Sequence, residues 1–320
     1  MILVDHPRFV SLAAYEAEIA AMTERLVKLP GVVAVYRIGG LRAPGISDID
    51  MVAVFADEAA CYSDPCAGLS AKGRYLFVHQ LFGAPLSLFR ESFRYTFFHD
   101  FRLLAGEDVR PPVPMEDEAR KTMLRQWALE FLARMLGSIA VEDLYGVTKL
   151  RGLLLHGKAL LYDLDFLGTE APVLRGHLER ILHWRKTWFG DPPSVEEVRA
   201  FLPDFRRDFV TFLDRVLAEH PLFLPRGRKL GRNILVVNGQ PAGYACRGLR
   251  LPAFPLPDRW VRQFFSLQHR LNTIELHLPF AEGPAPAVIA ASFDYRERAQ
   301  AFNRERLPHF MPLTSSLNLA

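Results

Sequence analysis

Two short apolar runs near the start of the chain, PGVVAVYRIGG from Pro30 to Gly40 and DIDMVAVF from Asp48 to Phe55, constrain the fold most. The first is β-branched and closed by glycines; the second opens on two acids. Both read as buried strands. Side chains alternate along a strand, so Asp48 and Asp50 share a face with Val52 and Val54, while Ile49, Met51, Ala53 and Phe55 share the other. Apart from the acids both faces are apolar, which calls for a covering layer on each side. A carboxylate at the mouth of such a strand must be solvated, paired or bound to a cation, because burying it bare is costly. One answer is a turn, where Ser and Asp serve as local hydrogen-bonding residues. The other is a cation site, in which two carboxylates on one face share Mg²⁺, a hard ion that keeps waters and substrate phosphates in its shell. Gly39 and Gly40 leave the backbone open to a phosphate, and a helical turn after them would offer N–H groups to it.

Around these runs the periodicity alternates. Phe9 to Lys28 carries Leu12, Tyr15, Ile19, Met22 and Leu26 at helical spacing. RYLFVHQLF and APLSLF read as a third and a fourth strand. The expected fold class is therefore α+β, a mixed sheet with covering helices. The proline-rich stretch VRPPVPMEDE closes this first domain, residues 1–114. A helical domain, 115–220, follows as an antiparallel bundle of four helices: EDEARKTMLRQWALEFLARMLGSIA, VEDLYGVTKLRGLLLHGKALLYDLDFL, APVLRGHLERILHWRKTWF and SVEEVRAFLPDFRRDFVTFLDRVLAEH. Ser194 and Glu197 form a capping box for the last, and Pro203 is expected to kink or split it. Residues 221–320 read as a small mixed α/β region with strands in NILVVNGQPAGYA, RLNTIELHLPF and PAVIAASF.

Bulk properties narrow the function classes. A net charge of +3 over 320 residues is too small for a nucleic-acid footprint. Cys61, Cys66 and Cys246 form neither a disulfide framework nor a zinc set, and read as free thiols. No apolar run reaches the length of a membrane span, and MILVDHPRF lacks the features of a secretion signal, so the expected location is cytoplasmic.

IGG, a short spacer and GISDIDMVAVF together resemble the signature of the polymerase-β-type nucleotidyltransferase superfamily, in particular its small aminoglycoside nucleotidyltransferase-like bacterial branch. The Gly-Gly form is similar to that of the lincosamide and CCA-adding branches, and an α/β domain followed by a helical bundle matches the layout of many members. The resemblance implies Mg²⁺-dependent transfer of a nucleoside monophosphate from an NTP to a hydroxyl, with release of pyrophosphate. It implies two Mg²⁺ ions, roughly 3.5–4 Å apart in such sites, held by Asp48 and Asp50. It places Gly39, Gly40 and Ser47 at the nucleotide phosphates, with Arg42 in the spacer and Lys149 on the second bundle helix as further candidates. The family's third carboxylate, often its general base, belongs on a neighbouring strand; Ser87 stands there, with Glu91 four residues on and Asp100 as the alternative. The acceptor is expected to be a small molecule or a protein side chain rather than a nucleic acid. The rival expectation is a degenerate member that binds a nucleotide as a regulatory or partner module.

Three further features carry alternatives. In HWRKTWF, Trp184 and Trp188 lie on one helical face, where core packing explains them better than nucleic-acid stacking. RGRKLGR is a basic loop suited to phosphate, an acidic partner or plain solvation. Trp260, Phe264 and Phe265 suit either the acceptor cleft or a homo-oligomer interface.

Overall fold

The computed structural model describes residues 1–96, 100–112, 117–225, 233–252 and 256–314. In chain order the elements are β1 (Ile2–Val4), α1 (Leu12–Leu26), β2 (Val32–Ile38), β3 (Asp50–Phe55), α2 (Ala71–Leu76), β4 (Phe82–Pro85), α3 (Leu86–Ser92), β5 (Phe101–Gly106), α4 (Glu118–Tyr145), β6 (Val147–Lys149), α5 (Leu150–Leu167), α6 (Pro172–Thr187), α7 (Val195–Glu219), β7 (Ile234–Asn238), β8 (Gly243–Gly248), α8 (Asp258–Leu271), β9 (Asn272–Leu278), α9 (Ala287–Arg306) and β10 (Met311–Pro312). The fold is α+β. Its described residues form two compact units, one of Arg8–Met123 with the segment from Ala287 onward, the other of Met1–Pro7 with Leu124–Pro286.

In the unit starting at Arg8, five strands form one mixed sheet in the order β10-β4-β3-β2-β5. β2 runs antiparallel to β3 and β5, whereas β3, β4 and β10 are parallel neighbours. The alternation along β3 sorts its side chains as the sequence requires. Met51, Ala53 and Phe55 pack with Tyr15, Ile19, Met22 and Leu26 of α1 and Leu76 of α2. Val52 and Val54 face Tyr36, Phe89, Phe93 and Phe101. Each large apolar side chain fully buried in these layers is worth roughly 1.5–3 kcal/mol over its exposed state. Ser11 caps α1 through its hydroxyl, which accepts the Ala14 N–H at 3.3 Å.

The structure corrects the expected third and fourth strands. RYL of RYLFVHQLF closes α2, because the Ser70 hydroxyl accepts the Gly73 N–H at 2.9 Å and starts a helix there. Only Phe82–Pro85 pairs as a strand. Pro85 then occupies the N-cap of α3, so Leu86 to Phe89 of APLSLF are helical and Ser87 lies on a helix. PAVIAASF, expected as a strand, opens α9, whose buried Ile289, Ser292, Tyr295, Arg296, Ala299 and Asn303 follow helical spacing. Chain continuity therefore misleads at the C-terminal end: α9 and β10 belong to the sheet unit, while β7, β8, β9 and α8 belong to the other.

That other unit is built on α4 to α7. The first bundle helix runs on to Tyr145, and Gly146, at φ +65°, ends it. Val147–Lys149 is then a strand, parallel to Ile2–Val4, and the helix expected from Val141 starts only at Leu150. α5 and α6 approach closely: a Cβ on Gly157 would lie 2.5 Å from Ile181 Cγ2. Ser194 caps α7 by accepting the Glu197 N–H at 3.0 Å, and α7 continues through Pro203 without interruption. Trp184 is buried against Phe201 and serves packing, whereas Trp188 is half-buried. Phe264 and Phe265 are buried beside Tyr145, whereas Trp260 is exposed. RGRKLGR lies outside the described residues. The three cysteines are free thiols. Among the described residues no helix is long and apolar enough to cross a membrane.

One buried group on α5 predicts a pH effect. Asp163 is buried, its Oδ2 has no hydrogen-bond partner among the described residues, and burial pushes its carboxyl up to about 8. An unfolded Asp titrates near 3.9, so from that pH up to about 8 the unfolded chain has lost a proton that the folded chain keeps, and stability falls as pH rises. Asp163→Asn removes this drain. The variant is expected to exceed the wild type by about 1–3 kcal/mol near pH 7.5, with the difference shrinking toward zero at about pH 4. Urea unfolding of both proteins at the two pH values checks it; a constant difference would remove Asp163 as its cause.

Candidate functional site

The loop from Gly39 to Asp48 is pinned from below by two tyrosines. Gly39 adopts φ +70°, open to glycine at little cost, and its N–H donates to the Asp100 carbonyl at 2.9 Å. The Ala43 carbonyl then accepts the Ile46 and Ser47 N–H groups, making the helical turn expected after the glycines. The Tyr15 hydroxyl donates to the Ser47 carbonyl at 2.6 Å and accepts the Gly45 N–H at 2.9 Å; the Tyr75 hydroxyl donates to the Gly45 carbonyl. The N–H groups of Ile46 and Ser47 are thus consumed inside the loop and that of Gly45 by Tyr15 of α1. Gly40 and Arg42 are exposed, with Arg42 Cγ 3.8 Å from the place a Gly40 Cβ would take, while Ser47 is buried.

Asp48 and Asp50 follow, both half-buried, Asp50 as the first residue of β3. Between them the Ile49 N–H donates to the Leu76 carbonyl at 3.0 Å, which docks the end of α2 against the acids. The chain leaving α2 brings His79 back to the same point. Its Nε2 lies 2.9 Å from Asp50 Oδ1, and one donor atom from each of Asp48, Asp50 and His79 fits within a 4.8 Å span. The ring rests edge-on against Phe82, and its Nδ1 donates to the Gln80 carbonyl at 2.6 Å. Burial opposes the charged form of this imidazole, but the hydrogen bond and charge of Asp50, the Gln80 carbonyl and the charge of Asp48 outweigh it and raise its pKa to about 8.

These donors fit a divalent cation. Ligand atoms on adjacent vertices of an octahedron with bonds near 2.1 Å are about 3 Å apart, the spacing that His79 and Asp50 already have. A metal-binding His is commonly oriented by a carbonyl on its other nitrogen, as Gln80 does here. The carboxylates suit Mg²⁺; the imidazole widens the range toward Mn²⁺, Co²⁺ and Zn²⁺.

The remaining candidates lie elsewhere. Ser87, which stands where the resemblance would put a third acid, donates its N–H to Asp57 Oδ1 at 2.8 Å. Glu91, on α3, is held by Arg298 of α9 through bonds of 3.0 and 2.6 Å. Asp100 contributes its carbonyl to Gly39, as above. Lys149 belongs to the other unit, at the N-cap of α5, where its N–H donates to Glu142 Oε1 at 3.0 Å. His79 is the residue that sequence reasoning missed. Its signal was a lone histidine inside the apolar run RYLFVHQLF, shortly before the paired part of β4. No protein-family model, curated protein or solved structure matches the chain.

Proposed function

We propose that the protein is a divalent-metal-dependent nucleotidyltransferase, of the polymerase-β type its sequence resembles, that moves a nucleoside monophosphate from an NTP to a hydroxyl of a small molecule or protein. The observation that supports this reading most is the convergence of Asp48, Asp50 and His79 at the entrance of β3, on the chain that leaves the Gly39-Gly40 turn. Bound there, Mg²⁺ or a related ion would neutralise triphosphate charge and lower the pKa of the attacking hydroxyl. The protein's own contributions are separate. Asp48 and Asp50 supply the oxygen ligands, with His79 as the third donor. Gly39 and Gly40 admit a phosphate close to the backbone, and Arg42 is exposed beside them. Tyr15 and Tyr75 hold the loop that leads to the acids in shape.

A second reading, a nucleotide-binding module without catalysis, draws on Glu91. Its bidentate pairing with Arg298 keeps that carboxylate in a structural bond, and the donor group at the acids contains no third carboxylate among the described residues. Pyrophosphate release separates the two. Wild-type protein with Mg²⁺ or Mn²⁺, each of the four NTPs and a mixture of hydroxyl acceptors is expected to release pyrophosphate with at least one NTP. Metal-dependent NTP binding without release would favour the binding module. No metal-dependent binding at all would return the acids to a turn.

A further inference from the structure

The second unit contains a cavity of about 360 Å³ between α4, α5, α7, β7 and α8, and its lining is out of electrostatic balance. Lys149, His156 and His269 all face it. The Lys149 ammonium sits 4.4 Å from the centre of the Phe265 ring and makes no hydrogen bond or ion pair among the described residues. Burial lowers its pKa, against the opposing pull of Glu142 and Asp5. The side chains of His156 and His269 make ring contacts with Phe131 and Tyr145 but no hydrogen bond among the described residues. Burial and the charges of Arg134 and Lys149 hold the His156 imidazole down at about 4, so at neutral pH it carries one N–H to donate and no charge.

Among the described residues the one acid on the cavity wall, Glu142, is already committed. Glu142 accepts the Lys149 N–H and bonds to Arg206 at 3.4 Å, and Arg206 further binds Asp143 at 3.1 Å and Thr148 at 2.8 Å. Arg206 and Arg134 add two further cations to the lining beside Lys149. Removing an ammonium from water without a compensating anion is unfavourable, so an unpaired lysine flanked by two unpaired histidines is a stability cost to the folded chain. It becomes favourable once an oxyanion enters, since the ammonium and the imidazole N–H groups are all donors. Ile139, Leu153 and Phe205 give the rest of the wall an apolar character suited to a hydrocarbon or aromatic body.

We propose that this cavity binds a small oxyanion, a phosphate monoester or carboxylate on an apolar body, through Lys149, His156 and His269. The proposal does not depend on the metal site in the sheet unit. Phenyl phosphate and benzoate serve as probes in isothermal titration calorimetry, with phenol as the uncharged control. At least one anion is expected to bind, with phenol about 10-fold weaker or worse, and the preferred anion identifies the headgroup. Lys149→Met is expected to weaken anion binding about 10-fold or more and to raise Tm by ~1–3 °C, since it removes an unpaired buried charge. Lys158→Met, on α5 with its ammonium over Tyr162, should leave binding unchanged. Should Lys149→Met lose its near-UV circular dichroism, His269→Gln takes its place with the same expected loss of affinity. Failure of the wild type to bind either anion, or anion binding that survives both substitutions, overturns the proposal.

Discussion

The double variant Asp48→Ala, Asp50→Ala is expected to lower pyrophosphate release by at least ~10³-fold, because it removes both oxygen ligands from the proposed ion, whereas changing a residue behind a metal ligand costs only about 10–100-fold. Both acids are half-buried at a strand mouth rather than in the core, so the packing of Met51, Ala53 and Phe55 against α1 is retained. Near-UV circular dichroism and Tm should therefore stay close to wild type while Mn²⁺ binding, followed by electron paramagnetic resonance, disappears. The pairing of those two readouts matters. Loss of activity together with loss of fold would say nothing about the ion, whereas unchanged Mn²⁺ binding in a folded double variant would exclude the acids as ligands.

His79 carries the second large effect. His79→Ala is expected to weaken Mn²⁺ binding by at least about 10–100-fold, because losing a ligand costs no less than losing a residue that orients one. His79→Asp should restore binding and shift preference toward Mg²⁺, since it exchanges an imidazole for a hard oxygen donor. In the same variant the Gln80 carbonyl loses its Nδ1–H partner, so part of the orientation is lost and recovery should be incomplete. Competition titrations of Mg²⁺ against Mn²⁺ on the wild type and both variants measure it. Equal Mn²⁺ affinity in wild type and His79→Ala would leave His79 as a hydrogen-bond partner of Asp50 and nothing more.

The contrast between Asp50 and His79 shows which parts of the site were legible in the sequence. Asp50 opens the strand it was read from, whereas Asp48 lies two residues before the strand begins, and the parity that puts Asp50 with Val52 and Val54 is a local property of the backbone. Gly39 and the turn at Ala43 are local too. His79 reaches the acids because α2 docks through Leu76 on the Ile49 N–H, a contact between segments that no periodicity encodes. The run around it was misread for a related reason. Tyr75, Leu76 and Phe77 form a short apolar cluster compatible with strand or helix, and the Ser70 cap decides in favour of helix. PAVIAASF posed the same ambiguity, and there the buried series from Ile289 to Asn303 resolves it over a longer span than the run itself.

Pairings between distant segments were the least legible. Ile2–Val4 finds Val147–Lys149, and β10 finds β4, through parallel contacts far apart in sequence. Such pairings assign the first residues to the helical unit and the last helix to the sheet unit, across the boundaries expected at residues 114 and 220. The long amphipathic helices were the most legible, down to the Ser194 cap, and their ends shifted only where Gly146 supplied a left-handed break.

The proposed reaction can be tested at the bond it breaks. ATP, or whichever NTP releases pyrophosphate, is supplied in two forms, one labelled at the α-phosphorus and one at the γ-phosphorus, with metal and a hydroxyl acceptor. Nucleotidyl transfer predicts that the α label moves to the acceptor while the γ label leaves as pyrophosphate, with neither event in the Asp48→Ala, Asp50→Ala variant. Appearance of the γ label on the acceptor or as inorganic phosphate, or retention of both labels in intact NTP, would contradict it.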